Sequence, residues 1–335
     1  MEVDRGVSMK RNLQAGKKQS GGFSLNVFND DECNEIHLAT LEVLEKTGVF
    51  VEDEEAMEVL HGGGAIIDSK NKIVKFPSYL VEDAIRSAPS KFIAAGRIPE
   101  RDIVLGNNRV SFTNFGEGIV IKDLYTGELR ETTKSDAKDA AKIIDYLSNV
   151  DTYERAVGSL DKPPEVQSLH NAEASLTNTT KHHWLGPQNG YLARKIVEMC
   201  AAIVGGKDKL KERPLLTFLT SPISPLKLPR EFCEIVIEAA RSGLGLNICS
   251  MAMSGGSTPV TLAGTLVVHN SEVLSALVLN QLTRKGAPVV YGSSTCALDL
   301  RFASASVGTP ELAKISAAVA RLARYYSLPC FVAGG

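Results

Sequence analysis

The chain is short of the features that mark several large classes of protein, and each shortage removes one. Positive charge is not in excess: Lys and Arg number 37 against 39 Asp and Glu in 335 residues. Nothing stands ready to neutralise a run of phosphates, so no nucleic acid is expected as a partner. No continuous apolar segment opens the chain. The longest apolar stretches, Ile235 to Ala240 and Leu274 to Leu279, are too short to cross a bilayer, so the expectation is a cytoplasmic protein with no membrane partner. The six cysteines, Cys33, Cys200, Cys233, Cys249, Cys296 and Cys330, lie far apart, without the C-x-x-C spacing of a zinc or redox site. They read as reduced, buried thiols, and no metal is expected. No G-x-G-x-x-G joins a strand to a helix, which argues against a dinucleotide fold.

What is present is a globular composition, 44% hydrophobic and 23% charged, enough for one large core or one core with a satellite. Residues 1–24 mix Lys, Arg, Gln, Ser and Gly with almost no apolar periodicity and read as a flexible tail. Residues 25–130 read as a small α+β domain. Helices are expected over Asp30 to Lys46, with an acidic first turn, and over Glu54 to Leu60, and β runs at Ala65 to Ile67, Ile73 to Phe76, Arg109 to Phe112 and Ile119 to Lys122.

Residues 131–335 alternate apolar runs with amphipathic helices. The runs are Tyr153 to Val157, His183 to Leu185, Leu215 to Leu219, Leu246 to Met251, Val289 to Tyr291 and Phe331 to Ala333. Thr258 with Pro259 is expected to start the long helix that ends near Arg284, and Asn270 could cap a second helix within it. The fold class that follows is α/β, an incomplete (β/α)8 TIM-type barrel behind the small N-terminal domain. Six strands fall short of eight, which would leave two open sheet edges.

In such a fold the chemistry stands at the carboxyl ends of the strands. Those ends carry Trp184, Gln188, Ser250, Met251, Tyr291, Ser293, Ser294 and Gly334, rich in hydroxyl, aromatic and sulfur groups and poor in acids and metal ligands. Such a lining suits an uncharged or cationic small amine. Trp184, the single tryptophan, and Tyr291 could face a methylated ammonium by cation–π attraction, worth about 0.5 to 2 kcal/mol when desolvated; equally, both rings could simply pack. Of the adjacent His182 and His183 only one could reach the site, and Asp299 is a further candidate charge. The loop Ser254 to Thr258 reads either as an anion cradle or as a turn.

The string Cys249-Ser250-Met251-Ala252-Met253-Ser254-Gly255-Gly256-Ser257-Thr258-Pro259-Val260, with His269-Asn270-Ser271-Glu272, Val290-Tyr291-Gly292-Ser293-Ser294-Thr295 and Gly308-Thr309-Pro310-Glu311-Leu312, resembles the trimethylamine methyltransferase family. The resemblance implies methyl transfer from trimethylamine to the Co(I) corrinoid of a separate corrinoid protein, with no cofactor bound by this chain and a homo-oligomer left open. It implies pyrrolysine at or just after Gly335, as an electrophile that activates and orients the amine. The alternatives are a pyrrolysine-free methyltransferase for glycine betaine or another quaternary amine, and a non-catalytic amine-binding barrel. Sequencing the gene is expected to show an in-frame amber codon within a residue of Gly335 with an open frame beyond it; a sense codon for an ordinary amino acid there moves the choice to the glycine betaine type.

Overall fold

Helix α1 (Asp30–Glu42) begins where Asn29 and Glu32 form a reciprocal capping box, each side chain accepting from the other's backbone N–H at 2.9 and 2.8 Å. Its acidic first turn faces the positive end of the dipole. The computed structural model describes residues 26–106 and 109–333; the expected tail, Gly334 and Gly335 lie outside them. A π-helical turn, Val43–Thr47, leads to Gly48 at φ 79°, where a Cβ would sit 2.5 Å from the Val74 carbonyl oxygen, so only glycine fits. Strand β1 (Val49–Val51), α2 (Glu54–Gly62), β2 (Ile66–Asp68), β3 (Ile73–Lys75) and α3 (Ser78–Ser87) follow. Two hairpins come next, β4 (Lys91–Ala94) with β5 (Ile103–Gly106) and β6 (Val120–Lys122) with β7 (Leu129–Glu131).

After α4 (Lys134–Tyr146) strands and helices alternate: β8 (Thr152–Glu154), α5 (Gln167–Leu176), β9 (His182–Leu185), α6 (Gly190–Val204), the short α7 (Lys207–Glu212), β10 (Leu216–Thr220), β11 (Lys227–Leu228), α8 (Arg230–Ser242) and β12 (Gly245–Ser250). Then come β13 (Met253–Ser254), α9 (Leu262–Thr283), β14 (Val289–Ser293), β15 (Cys296–Asp299), β16 (Ser304–Ala305), α10 (Pro310–Tyr325) and β17 (Cys330–Val332). Six strands pair in parallel, strictly in chain order: β8, β9, β10, β12, β14, β17. The sheet is curled. Trp184 on the second strand lies 5.3 Å, centroid to centroid, from Phe331 on the sixth, whereas four strand spacings in a flat sheet are about 19 Å.

The helices cover the convex face. Leu216, Phe218, Leu246, Ile248 and Val289 alternate into one core with Ile196, Ile235, Val273 and Ile315, each such side chain contributing roughly 1.5 to 3 kcal/mol by leaving water. That core also takes in Cys33, Leu44, Val74 and Val81 from before residue 130, and β1 pairs in parallel with β11. On the concave face the amino ends of the strands are closed by the β4–β5 hairpin, whose Phe92 and Leu105 pack with Trp184, Val290 and Phe331.

Several expectations are corrected. No strand covers Arg109 to Phe112; instead Thr113 and Gly118 bridge in parallel to Thr152 and Val157, so this segment covers the β8 edge. Five cysteines are buried, but Cys330 is exposed on the edge strand β17. Thr258 does not start α9. Thr261 does, its side chain accepting from the Gly264 N–H, while Thr258 Oγ1 donates back to the Met253 carbonyl at 3.0 Å.

Helix α9 is unbroken over 22 residues and is long and apolar enough to span a membrane by length and composition, which the count of short apolar runs missed; it is mostly buried within the protein. Asn270, far from breaking it, binds three other elements. Its amide donates to Thr40 Oγ1 at 2.9 Å and Tyr326 Oη at 2.7 Å, and its oxygen accepts from Tyr291 Oη at 2.7 Å. Substituting Asn270→Leu leaves the buried Tyr291 hydroxyl without an acceptor, and we expect a loss of about 2 to 4 kcal/mol in denaturant-unfolding free energy; a loss below about 0.5 kcal/mol contradicts this role.

Candidate functional site

Strand alternation decides which side chains face the concave surface. On β12, Leu246 and Ile248 enter the helical core, so Asn247 and Cys249 face the other way. On β14, Val290 belongs to the concave cluster with Trp184 and Phe331; Asn247 pairs with Val290, Cys249 with Gly292, and Gly292 with Phe331. On β8, Glu154 pairs in register with Trp184. Thr152, two residues earlier and therefore on the same face, accepts from Trp184 Nε1 at 2.9 Å. Glu154, Trp184, Asn247, Cys249, Gly292 and Phe331 thus share one surface.

The polar groups of this surface are under-partnered. Asn247 is fully buried, yet neither its amide oxygen nor its nitrogen has a hydrogen-bond partner, a condition that costs about 1 to 3 kcal/mol unless something else meets it. Its oxygen occupies the space over Gly292: a Cβ there would lie 1.9 Å from Asn247 Oδ1. Cys249 Sγ lies 3.3 Å from Ser294 Oγ, and burial pushes its thiol up to about 11. Burial alone pushes the Glu154 carboxyl up to about 7. Its backbone is held by Asn114, which donates to the Glu154 carbonyl at 2.8 Å and accepts from its N–H at 3.0 Å. The neighbouring Arg155 is paired with Glu117.

The residues expected at the site divide. Trp184 lies on the concave surface. Tyr291 does not: it points into the helical layer, bonded to Asn270, with its ring 5.3 Å from His269 and 6.0 Å from Tyr326. The joint cation–π role for the two rings is therefore not available, because residue 291 has the opposite parity to Val290. Ser250 also turns outward, donating to the buried Glu272 at 2.6 Å; Glu272 further accepts from Ser224 Oγ and the Leu226 N–H. Ser293 Oγ accepts from the Thr295 N–H. Ser294 faces Cys249, and Met251 is 47% exposed just past the end of β12.

His182 faces the concave side but at the amino end of β9, bonded to the Ala95 carbonyl and Thr217 Oγ1; burial lowers it to about 4, so it is neutral. His183 faces the other way, beside the Tyr153 ring. Gln188 ties two loops together, donating to the Pro164 carbonyl and accepting from Ser168. Asp299 pairs with the exposed Arg301. The Ser254 to Thr258 loop is a turn, its Gly256, Ser257 and Thr258 N–H groups all directed at the Met253 carbonyl. Gly334 lies outside the described residues. Among those residues no group of three or more His, Cys, Asp or Glu is arranged to hold a metal ion.

Glu154 and Asn247 escaped the sequence reading. The first strand ends at Glu154, so reading it through to Val157 moved the carboxyl end past the one acid there. An asparagine inside the run Leu246 to Met251 was a signal in its own right, since buried amides need partners.

A curled parallel sheet of six strands in chain order, with polar groups left unpartnered on its concave face, defines the class. The solved monomethylamine methyltransferase of Methanosarcina barkeri superposes with a TM-score of 0.56 at 12% identity, over 90% of this chain and 67% of that one. The hydroxylamine MtmB complex gives 0.57 over the same shares, again at 12% identity. At that identity the likeness is one of fold. The family follows from sequence: residues 5–335 match the trimethylamine methyltransferase (MTTB) family, and the chain belongs to it. It is 51% identical over 323 residues to the trimethylamine methyltransferase MttB of Desulfitobacterium hafniense, covering 96% of this chain and 65% of that protein. Identity to the Methanosarcina barkeri MttB is 42%, covering 97% and 67%, and to a glycine betaine methyltransferase of Desulfitobacterium hafniense 32%, covering 92% and 64%. The chain thus spans about two thirds of the length of these relatives.

Because Trp184 is the only tryptophan, its emission reports on Glu154. Burial favours the neutral acid, so the stability this group contributes is present below its ordinary value of 4.5 and is lost as pH rises through about 7. Three nearby groups titrate elsewhere: His182 near 4, Cys249 near 11 and Arg155 near 10. We expect Trp184 fluorescence to titrate with a midpoint near 7, and Glu154→Gln to abolish the step and to raise thermal stability at pH 8 but not at pH 5; an unchanged step in that variant assigns it to another group.

Proposed function

We propose that this protein transfers a methyl group from trimethylamine to the Co(I) corrinoid carried by a separate corrinoid protein. The observation that carries the reading is the gradient of similarity: 51% identity to a trimethylamine methyltransferase against 32% to a glycine betaine methyltransferase, over comparable lengths. The whole fold in this reading is an eight-stranded TIM-type barrel, of which the six parallel strands are part, behind the N-terminal elements. The reaction runs in the cytoplasm, where free thiols stay reduced.

Cobalt supplies the nucleophile. In the net reaction a bond forms between cobalt and the methyl carbon, the carbon–nitrogen bond breaks, and its electron pair stays on nitrogen, which leaves as dimethylamine carrying the one proton taken up per trimethylamine. A pyrrolysine at or just after Gly335 is the electrophile this reading requires. The contribution of the residues described here is positioning: Trp184 and Phe331 form an apolar wall, Asn247 and Glu154 offer polar contacts on the same face, and the β4–β5 hairpin closes the amino end, so substrate and corrinoid enter from the carboxyl ends. The corrinoid enters as the methyl-accepting group of the partner.

The test is methyl transfer with the native full-length protein and its corrinoid protein reduced to Co(I). We expect trimethylamine to give one methyl–cobalt and one dimethylamine per turnover. Methylation from glycine betaine but not from trimethylamine selects the quaternary-amine enzyme; saturable amine binding with no methylation from either selects a non-catalytic amine-binding barrel.

A further inference from the structure

Glu154 is a carboxylate without a counter-charge. It stands at the carboxyl end of β8, on the concave face, paired in register with Trp184. Gly116, on the segment that covers the β8 edge, lies so close that a Cβ there would be 3.0 Å from Glu154 Oε1. The nearest arginine in sequence, Arg155, is committed to Glu117, and among the described residues no lysine, arginine or hydrogen-bond donor holds the Glu154 carboxyl group. A partly desolvated carboxylate in that position is costly unless a cation arrives to share the site. The second observation is independent of it: Asn247, fully buried on the same face, has an amide with neither atom partnered.

We propose that Glu154 and Trp184 form a cation subsite that favours positive charge on the methylated nitrogen, both in the ammonium that arrives and in the quaternary nitrogen formed once the free amine adds to the electrophile, and so discriminates against neutral molecules of the same shape. This rests on the amine-methyltransferase reading and adds to it the charge state of the substrate and the residue that selects it. The carboxylate supplies long-range attraction in a poorly solvated place, and the indole face supplies a surface on which methyl groups pack while its quadrupole favours the positive charge they carry. The Asn247 amide lies deeper, one strand layer below Cys249, where it can meet a polar atom or a water on the far side of the ligand.

The probe is tetramethylammonium, whose charge does not change with pH, compared with tert-butanol, an uncharged molecule of similar outline. Both are titrated into the protein with Trp184 fluorescence as the readout. Saturable binding of the cation is expected, weakened about tenfold or more by Glu154→Gln and much less by Glu154→Asp, with tert-butanol binding weakly and equally to all three proteins. Melting curves for the three proteins establish that each is folded; the glutamine variant is expected to melt no lower than the parent, since it removes a desolvated charge. Equal cation affinity in the parent and a folded Glu154→Gln protein overturns the proposal, as does tert-butanol binding as tight as the cation, or no saturable binding of the cation at all. The methyl-transfer assay separates this inference from the function it rests on. Cation binding that depends on Glu154 in a protein that methylates no cobalt keeps the subsite and refutes the methyltransferase reading. Methyl transfer from trimethylamine unaffected by Glu154→Gln does the reverse.

Discussion

Helix α9 has no solvent face over most of its length, and every polar group on it must therefore find a partner in a neighbouring element. Asn270 reaches α1, Tyr326 at the C-cap of α10, and β14. Glu272, two residues on, accepts from the end of β12 and from the loop at Ser224 and Leu226, and burial raises its carboxyl pKa. His269 meets Thr295 beyond β14. These bonds fix the convex side of the sheet with a specificity that apolar packing alone would not give, and they use up Ser250 and Tyr291, which would otherwise be available to a ligand. The concave face is left with fewer polar groups and fewer internal partners.

That asymmetry explains how the concave surface is made. A curled parallel sheet gives each strand two audiences, and the helices claim one. On the other side the sequence can leave an amide unpaired and a carboxylate without a cation, provided the rest of the fold is stable enough to carry the cost. Gly292 is the local accommodation: it has no side chain because the Asn247 oxygen stands where a Cβ would be. A close-packed pair of this kind, one residue polar and one absent in all but backbone, holds the amide in place without satisfying it.

Much of the architecture was legible in the sequence because it rests on local chemistry. The acidic first turn that begins at Asp30 marks the start of α1, and α2 begins at Glu54 as its periodicity predicts. The six apolar runs are the six parallel strands. What could not be read were facts that depend on distant partners. Asn270 is an indifferent helix former whose acceptor and donors lie on other elements, one of them Thr40, 230 residues away. Thr258 and Thr261 are equally good caps in isolation, and only the turn back to Met253 decides between them. The site was less legible than the fold for a related reason. Which of two adjacent residues faces a ligand depends on where a strand begins, and a shift of one exchanges Val290 for Tyr291. Glu154 was lost in the same way, at a strand end set by its neighbours.

The strict agreement between strand order and chain order bears on how the protein is made. As the polypeptide leaves the ribosome, each new βα unit finds the strand it must pair with already present, so the sheet can grow by addition at one edge with little loop-closure entropy at each step. The amino-terminal helices are in the opposite position. α1 and α3 pack against α9, and Thr40 waits for Asn270, so the apolar faces of Cys33, Ile36, Leu80 and Val81 stay uncovered through the synthesis of well over half the chain. These helices are made before the element that covers them, so their burial waits on α9.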